Sequence, residues 1–173
     1  MRRSAALVVL FAASVAPATS AEEAGPPQVA NSFYKEVRVK RISGLPEPAR
    51  LKKLAPFLAP DLVTAFERAW REQQSFIRKH PDEKPPWIEG DLFSSLFEGV
   101  TTWKLGSAKT DGERAQVPVN LTYTGGKNTQ RWTDTLLLKH TSAGWKIDDI
   151  RMGGEWAFKA GGNTLRQTLA SAE

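Results

Sequence analysis

The chain has 173 residues, of which 25% are charged and 40% hydrophobic; this suits one compact soluble domain and leaves too little chain for two domains of typical size. Its 13 glycines and 11 prolines are too few for a collagen-like or low-complexity chain. The formal net charge is +5 and there is no cysteine, so a disulfide-stapled scaffold and a cysteine nucleophile are both excluded.

The first 21 residues have the pattern of a secretory signal peptide. Arg2 and Arg3 precede an apolar run over residues 5–15, and small residues at 19–21 precede a cleavage point before Glu22. The run is far shorter than the roughly 20 residues of a membrane-spanning helix, and no cysteine can carry a lipid. We therefore expect a signal peptide over 1–21, a flexible leader over 22–28, a single α+β domain over 29–173, a periplasmic or secreted location and no membrane anchor.

Three helices are predicted ahead of any strand. Apolar residues at three-to-four spacing over 29–37 predict the first helix, which should end near Ser43 and Gly44. The same spacing over 51–58 predicts a shorter helix that Pro56 kinks and Pro60 closes. The third helix has the clearest pattern, because one face is apolar apart from Gln73 and the charged residues lie on the other faces. This face, the apolar stripe of the helix, consists of Leu62, Val63, Phe66, Ala69, Trp70, Gln73, Phe76 and Ile77.

Basic residues are concentrated between positions 35 and 53, where seven residues are basic and two are acidic. Such a face attracts an anionic surface or polymer through its summed charge. An ordinary solvated helix face is the alternative interpretation. Nucleic acid is a poor candidate partner, because the chain has no recognisable nucleic-acid-binding module. The basic residues are Lys35, Arg38, Lys40, Arg41, Arg50, Lys52 and Lys53.

A loop rich in aromatic residues follows the third helix. His80 and Pro81 end that helix, and residues 82–86 are too rich in proline and charge to be regular. Within residues 87–99 we expect a short helical turn over 91–97, with Asp91 as its N-cap. The aromatic side chains of this segment are expected to cover the open end of the sheet.

From Thr101 the apolar period changes from that of a helix to that of a strand, which predicts four antiparallel strands in meander order. Asp111 and Gly112 form a strong hairpin signal between the first two strands. Pro118 lies inside the second strand and predicts an open edge or a bulge, because proline has no N–H to donate. The strands are predicted over residues 101–109, 115–124, 131–141 and 145–152, with turns at 125–126 and 142–144.

The apolar alternation slips by one residue in the last strand. Trp145 and Ile147 alternate as expected, but the next apolar residue is Ile150. A bulge across Asp148 and Asp149 would return Ile150 to the core and re-aim one carboxylate. Beyond this strand, Leu165 and Leu169 predict a short terminal helix with Asn163 as its cap.

Two segments carry a resemblance to a known family. They are residues 90–99 (Gly-Asp-Leu-Phe-Ser-Ser-Leu-Phe-Glu-Gly) and residues 145–150 (Trp-Lys-Ile-Asp-Asp-Ile), the latter followed by the tail from Gly153 to Leu165. With helices before a meander, the chain resembles an uncharacterised group of exported bacterial proteins and lipoproteins that have the nuclear-transport-factor-like α+β cone. The resemblance implies N-terminal helices packed on a strongly curved four-stranded antiparallel sheet, over residues 29–169. It implies no activity, since this fold hosts both enzymes and binders.

No motif in the sequence fixes a reaction. The histidines His80 and His140 lie in different predicted elements without metal-ligand spacing, and residues 125–128 lack the rest of a phosphate loop. We predict no metal site and no cofactor. The best catalytic constellation is Asp134 on the third strand with Asp149 on the fourth, because two carboxylates in an apolar cone would have their pKa values pushed apart. The alternative is that these acids bond backbone N–H groups or pair with Arg131 and Arg151.

The tryptophans and phenylalanines suggest an apolar cavity within the cone, with plain core packing as the alternative. The predicted binding residues are Trp132, Asp134, Asp149, Trp103 and Phe97. The leading hypothesis is an exported, soluble, non-enzymatic binding or interaction domain that uses the aromatic cone mouth or the basic helical face. Its partner would be a small amphipathic ligand or a protein, and a second copy of the chain, in a homodimer, is a further alternative. The alternatives are a small periplasmic isomerase, dehydratase or hydrolase acting through Asp134 and Asp149, and a periplasmic immunity-type protein.

Overall fold

Helices precede the sheet in the chain, and a further helix follows it. The computed structural model describes residues 23–39, 41–156 and 161–171. The predicted signal peptide over 1–21 lies outside these residues, as does Lys40 of the basic run. The helices are α1 (Pro26–Val39), α2 (Pro48–Leu54), α3 (Pro60–Lys79) and α4 (Leu165–Ala170), with a 3₁₀ turn at Ala55–Phe57 between α2 and α3.

Pro56 and Pro60 follow α2, and the shorter helix predicted over 51–58 spans Pro48–Leu54. Pro56 lies in the 3₁₀ turn that follows α2, and Pro60 is the first residue of α3, a position where its missing N–H costs no helical hydrogen bond. Helix α3 buries Leu62, Phe66, Ala69 and Gln73 on one face. The buried Gln73 amide donates to the carbonyl oxygen of Pro86 at 2.5 Å, so this polar residue on the apolar stripe is satisfied. The predicted amphipathic helix is confirmed.

The sheet is antiparallel and has five strands, so the predicted α+β class is confirmed and the predicted number of four is wrong. The strands are β1 (Thr102–Leu105), β2 (Lys109–Asp111), β3 (Arg114–Gly125), β4 (Asn128–Thr141) and β5 (Gly144–Arg151). They pair in the order β1-β3-β4-β5, and β2 also pairs with β3, on the same side as β1.

Pro118 explains why the predicted first strand is split in two. β1 pairs with residues 119–122 of β3, and β2 pairs with residues 114–116. Pro118 lies between these two stretches, where it has no N–H to donate to a neighbouring strand. Only its carbonyl oxygen is used, as the acceptor for Gly106 N–H at 2.7 Å. The interruption of the edge strand therefore faces the proline, which agrees with the prediction of an open edge there.

The sheet is neither closed nor strongly curled, so the strongly curved nuclear-transport-factor-like cone is not confirmed. The outer edge of β5 is covered instead of being joined to another strand. Leu58, at the end of the 3₁₀ turn, bridges to Ile147, and Thr164, just before α4, bridges to Arg151. Such covering protects the unpaired backbone groups of an edge strand.

The predicted bulge in the last strand is confirmed. Leu138 pairs with Ile147 and Leu137 pairs with Asp149, so Asp148 is the extra residue between them. Ile150 returns to the core and is fully buried. The bulge presents the Asp148 carboxylate to Arg166 of α4 at 2.8 Å and to Lys139 of β4 at 3.1 Å, as expected where a bulge re-aims a side chain.

Three predictions of local structure are wrong. The first helix begins at Pro26, inside the segment predicted as a leader, and ends at Val39 and not near Ser43 and Gly44. Residues 91–97 form a series of bends instead of a helical turn; Asp91 still accepts a backbone N–H, from Phe93 at 2.7 Å, in the local turn that aspartate commonly makes. Helix α4 is capped by Thr164, one residue later than the predicted Asn163. Thr164 and Gln167 form a reciprocal capping box, which satisfies two backbone donors at once.

The core lies between the helices and one face of the sheet. Helix α1 contributes Phe33 and Tyr34, both fully buried, and packs on β3 and β5. β4 faces the core with Trp132, Asp134, Leu136 and Leu138, the alternation that the sequence predicts. Within the described parts of the chain, no helix is long and apolar enough to cross a membrane.

Candidate functional site

The predicted site residue Asp134 is a fully buried carboxylate held by hydrogen-bond donors from three segments. Its Oδ1 accepts from the Ser95 hydroxyl and from Gly153 N–H at 2.8 Å. Its Oδ2 accepts from Ser95 N–H at 2.8 Å and from the Trp132 indole at 3.0 Å. Each carboxylate oxygen thus has two donors, which is how a buried charge is made tolerable.

The fold brings these donors together from distant parts of the sequence. Strand alternation places Trp132 and Asp134 on the core face of β4, and the bends of residues 91–97 bring Ser95 to them. The chain returns after β5 to supply Gly153, where a side chain would overlap the carbonyl oxygen of Thr133. The Ser95 hydroxyl also accepts from Gly154 N–H at 3.0 Å. We call Ser95, Trp132, Asp134, Gly153 and Gly154 the Asp134 clamp.

Asp149 lies apart from this clamp. It is 8% exposed and accepts from Ile150 N–H at 2.8 Å and from Arg166 N–H at 3.0 Å. Its cross-strand partner is Leu137, three residues from Asp134 along β4, or about 10 Å at the rise of a strand. Leu137 alternates with Leu136 and Leu138, so it lies on the face of β4 opposite to Asp134. The structure does not bring the two carboxylates together. Asp149 accepts from backbone N–H groups, whereas Asp134 accepts from two backbone N–H groups, a hydroxyl and an indole.

The predicted aromatic binding residues are distributed over the molecule. Trp132 is buried and makes an edge-to-face contact with Trp156, with ring centroids 5.8 Å apart. Trp103 stacks on Tyr34 at 5.9 Å, with the Arg38 guanidinium 5.7 Å from its ring. Phe97 is 47% exposed. These rings pack within separate parts of the surface and core and do not line one common hollow.

A cavity at the end of the sheet has two aromatic walls. It has a volume of about 340 Å³ and lies between Tyr123 of β3 and Trp156, with Asn128 and Gln130 of β4 beside them. The Trp156 indole N–H is buried and has no partner within the described residues. None of the five predicted binding residues lines this cavity.

Two further cavities flank helix α2, and Pro46 lines both of them. The first has a volume of about 300 Å³; it is lined by three basic side chains, Arg41, Arg50 and Lys53, and by one acidic side chain, Glu47. The second, of about 400 Å³, is a groove between α2 and α3. We call the first the basic cavity, the second the apolar groove, and the two together the α2 face. The groove is lined by Pro46, Pro48, Leu51, Lys52, Ala55, Val63, Glu67, Trp70 and Arg71.

The predicted basic run supplies the charge of the α2 face. Arg50 is fixed to Glu36 of α1, because its Nη1 donates to the Glu36 carboxylate and its Nη2 to the Glu36 carbonyl oxygen. Its Nε is buried and has no partner within the described residues. Arg41, Lys52 and Lys53 are exposed and form no ion pair with any residue that the structure describes. Their charge is therefore free to act on a ligand.

A second charged cluster joins α3, β4, β5 and α4. Lys139 contacts Asp61 at 2.7 Å, and Arg166 contacts Asp61 at 3.0 Å; both basic residues also contact Asp148. The hydrogen bond from Lys139 lowers the pKa of Asp61, and that same bond raises the pKa of Lys139. Opposite charges satisfy each other here, so the cluster ties elements together without presenting an open site.

Tyr34 is a fully buried residue of α1. Burial raises the pKa of its phenol well above the ordinary value, and the nearby charges of Asp134 and Asp91 raise it further. Its hydroxyl has no hydrogen-bond partner within the described residues. A neutral phenol in an apolar core is the form that burial favours.

His140, the histidine on β4, contacts the N-terminal end of the described chain. Its Nε2 lies 2.8 Å from the Glu23 carboxylate, and its ring meets Trp145 edge to face at 5.1 Å. Within residues 23–39, 41–156 and 161–171, no three histidine, aspartate or glutamate side chains gather as metal ligands would.

Sequence reasoning missed Ser95 and the α2 groove. Ser95 lies in an irregular segment where no spacing marks it as a partner of Asp134. The groove residues Val63 and Trp70 were assigned to the apolar stripe of α3, and only the position of α2 leaves them half-buried beside a cavity.

Comparison with known proteins adds no assignment. A scan against protein-family models, a search of curated proteins and a search of solved structures each found no match. The resemblance to the exported nuclear-transport-factor-like group therefore stays a prediction.

Proposed function

We propose that the chain is an exported, non-enzymatic binding domain whose contact surface is the α2 face. The observation that carries this proposal is the pair of cavities beside α2, which share Pro46 and combine an apolar wall with basic side chains. Three of these, Arg41, Lys52 and Lys53, form no ion pair with any described residue. Each cavity has the size at the lower end of small-molecule sites, and concave apolar pockets with a few polar groups are the usual form of such sites.

The state of the carboxylates supports binding over catalysis. A general acid or base must reach the proton that it transfers. Asp134 is fully buried, and both of its oxygens are occupied by protein donors. Asp149 is bonded to backbone N–H groups on another part of the sheet. These contacts are those of acids that hold the fold together.

Export and family membership belong to the same proposal. The charged, apolar and small-residue segments over 1–21 support export. The order of helices before an antiparallel sheet, with residues 145–150 in its last strand, supports a place in the nuclear-transport-factor-like group. The open sheet would make this chain a flatter member of that group.

An uncharged fluorescent probe tests the α2 face as a binding surface. N-phenylnaphthylamine brightens when it leaves water for an apolar pocket, so its titration into the purified protein should show saturable binding. Val63→Asn places an amide in the apolar groove and should weaken the binding about tenfold, the effect of losing roughly 1.4 kcal/mol of apolar contact.

Ile77→Asn is the matched control for this variant. Ile77 is an exposed residue of the same helix α3 and does not line the groove. It carries the same change in helix propensity, so it should leave probe binding as in the wild type. Equal affinities for Val63→Asn and the wild type would place the binding elsewhere and overturn the proposal.

A further inference from the structure

The two cavities of the α2 face differ in chemistry. The apolar groove has carbon-rich walls from Leu51, Val63 and Trp70, with Lys52, Glu67 and Arg71 at its sides. The basic cavity carries Arg41, Arg50 and Lys53 against the single acid Glu47. A ligand that fits both must therefore carry an apolar part and a negative charge.

Pro46 connects the two cavities. It is buried in the segment just before α2 and lines both of them. A single ligand that crosses Pro46 would contact both linings. Its charged end would meet the basic cavity and its hydrocarbon would lie against the groove.

Arg50 makes the basic cavity more than a group of surface charges. Its side chain is 13% exposed, and Glu36 fixes the guanidinium through two hydrogen bonds. The Nε–H donor is left buried without a partner in the described chain, which costs free energy until an acceptor is supplied. The exposed Arg41 and Lys53 line the same cavity and form no ion pair with any residue that the structure describes, so an anionic group in this cavity would meet positive charge beside the fixed Arg50 guanidinium.

We infer that the α2 face binds one free amphipathic anion, a monomeric ligand with a carboxylate or phosphate head and a hydrocarbon tail. The head lies in the basic cavity and the tail in the apolar groove. This inference rests on the proposed function and adds the chemical class of the ligand. The concave, bounded shape of both cavities favours a separate molecule over a flat bilayer surface.

Decyl phosphate, used as monomers, is the probe for this inference. Titration calorimetry should show binding to one site, at least tenfold tighter than decyltrimethylammonium, which has the same tail and the opposite charge. Inorganic phosphate, which has the head without the tail, should bind at least tenfold more weakly than decyl phosphate, because the apolar contact is lost. Equal affinity for the anionic and cationic amphiphiles would overturn the inference.

A charge variant locates the head. The double variant Arg41→Ala with Lys53→Ala should weaken decyl phosphate binding about tenfold, in keeping with the loss of charge-assisted contacts. Lys109→Ala with Arg114→Ala is the matched control, because these exposed residues remove the same charge from the β2–β3 hairpin. An equal loss of decyl phosphate affinity in both double variants would show that binding depends only on net charge, and it would overturn the assignment of the head to the basic cavity.

The outcomes separate this inference from the proposed function. If Val63→Asn weakens N-phenylnaphthylamine binding but the charge variant leaves decyl phosphate binding unchanged, the α2 face is a binding surface and its anionic specificity is wrong. If Val63→Asn changes neither probe, both proposals fail. Sedimentation with vesicles of phosphatidylglycerol, without binding of monomeric decyl phosphate, would replace the free amphiphile with a membrane surface and overturn the inference.

Discussion

Ser95 donates two hydrogen bonds, from its backbone N–H and its hydroxyl, to the carboxylate of Asp134, which lies 39 residues later in the chain. The contact ties the irregular segment after α3 to the core face of β4. Since Gly153 donates to the same carboxylate, one buried acid joins three segments that have no regular backbone pairing with each other at this point.

Asp134→Asn should lower the free energy of unfolding by about 3 kcal/mol, the scale of losing charge-assisted hydrogen bonds in a buried site. Each carboxylate oxygen accepts from two donors, so the amide NH₂ of asparagine meets two donors in either orientation. Urea unfolding measures the change. Asp82→Asn, in the exposed loop after α3, is the control and should change stability by less than about 0.5 kcal/mol. A similarly small effect for Asp134→Asn would contradict the clamp.

Gly153→Ala should be more disruptive than its size suggests, because its Cβ would overlap the carbonyl oxygen of Thr133. Backbone cannot move aside as a flexible side chain does, so we expect a loss of about 2 kcal/mol or more. Gly112→Ala is the comparison: it has a positive φ of 54° but open space around the new Cβ, and it should cost only about 1 kcal/mol. Urea unfolding should show a lower unfolding free energy for Gly153→Ala than for Gly112→Ala, and the reverse order would contradict the close contact with Thr133.

Asp134 and Asp149 should act independently. Among the residues that the structure describes they share no hydrogen-bond partner, and their positions on the sheet are about 10 Å apart along β4. The destabilising effects of Asp134→Asn and Asp149→Asn should therefore add within about 0.5 kcal/mol in the double variant. A coupling energy well above that would show that the two carboxylates face each other, and it would revive the acid–base pair.

Tyr34 should make the fold sensitive to alkali. The pKa of its phenol is raised above 10.0 in the folded protein, chiefly by burial, so the folded state keeps a proton that the unfolded chain releases. Its contribution is intact below pH 10.0 and is lost as the pH rises toward the folded pKa. Tyr34→Phe keeps the ring and removes the unpartnered hydroxyl. Urea unfolding between pH 9 and pH 11 should show a shallower fall in stability for the variant, and parallel curves would refute the assignment.

Asp61 should contribute a small, acid-sensitive stabilisation. The hydrogen bond from Lys139 lowers the pKa of Asp61 below its ordinary value of 3.8, so the contribution is present above pH 3.8 and is lost as the pH falls through the lower folded pKa. The Asp61 side chain is 56% exposed, so solvent screening limits the effect to less than about 1 kcal/mol. Asp61→Asn should reduce the loss of stability between pH 6 and pH 3, as measured by urea unfolding. An unchanged loss would show that the cluster carries no acid-sensitive stability through Asp61.

Most of the helices and strands could be predicted from the sequence, because their signals are local. The stripe from Leu62 to Ile77 predicts α3, and the slip between Ile147 and Ile150 predicts the bulge at Asp148; both depend only on which residues must face the core. The sequence predicts one strand where the structure has β1 and β2, although Pro118 indicates an interrupted edge. A proline shows that one backbone N–H is missing, but which neighbouring strand lacks its partner depends on how the strands pair.

The contacts of the buried acids and of the basic run depend on packing between segments that are distant in the sequence. Alternation along β4 places Asp134 on the core face, but its donors come from Ser95 and Gly153, whose approach depends on two irregular segments. The basic run is visible in the sequence, yet the pairing of Arg50 with Glu36 depends on how α2 packs beside α1, and Arg41 and Lys53 have no ion-pair partner in the described part of the chain. Local pattern states which side chains are buried or charged; the contacts that satisfy some of them and leave others open arise from packing between distant segments.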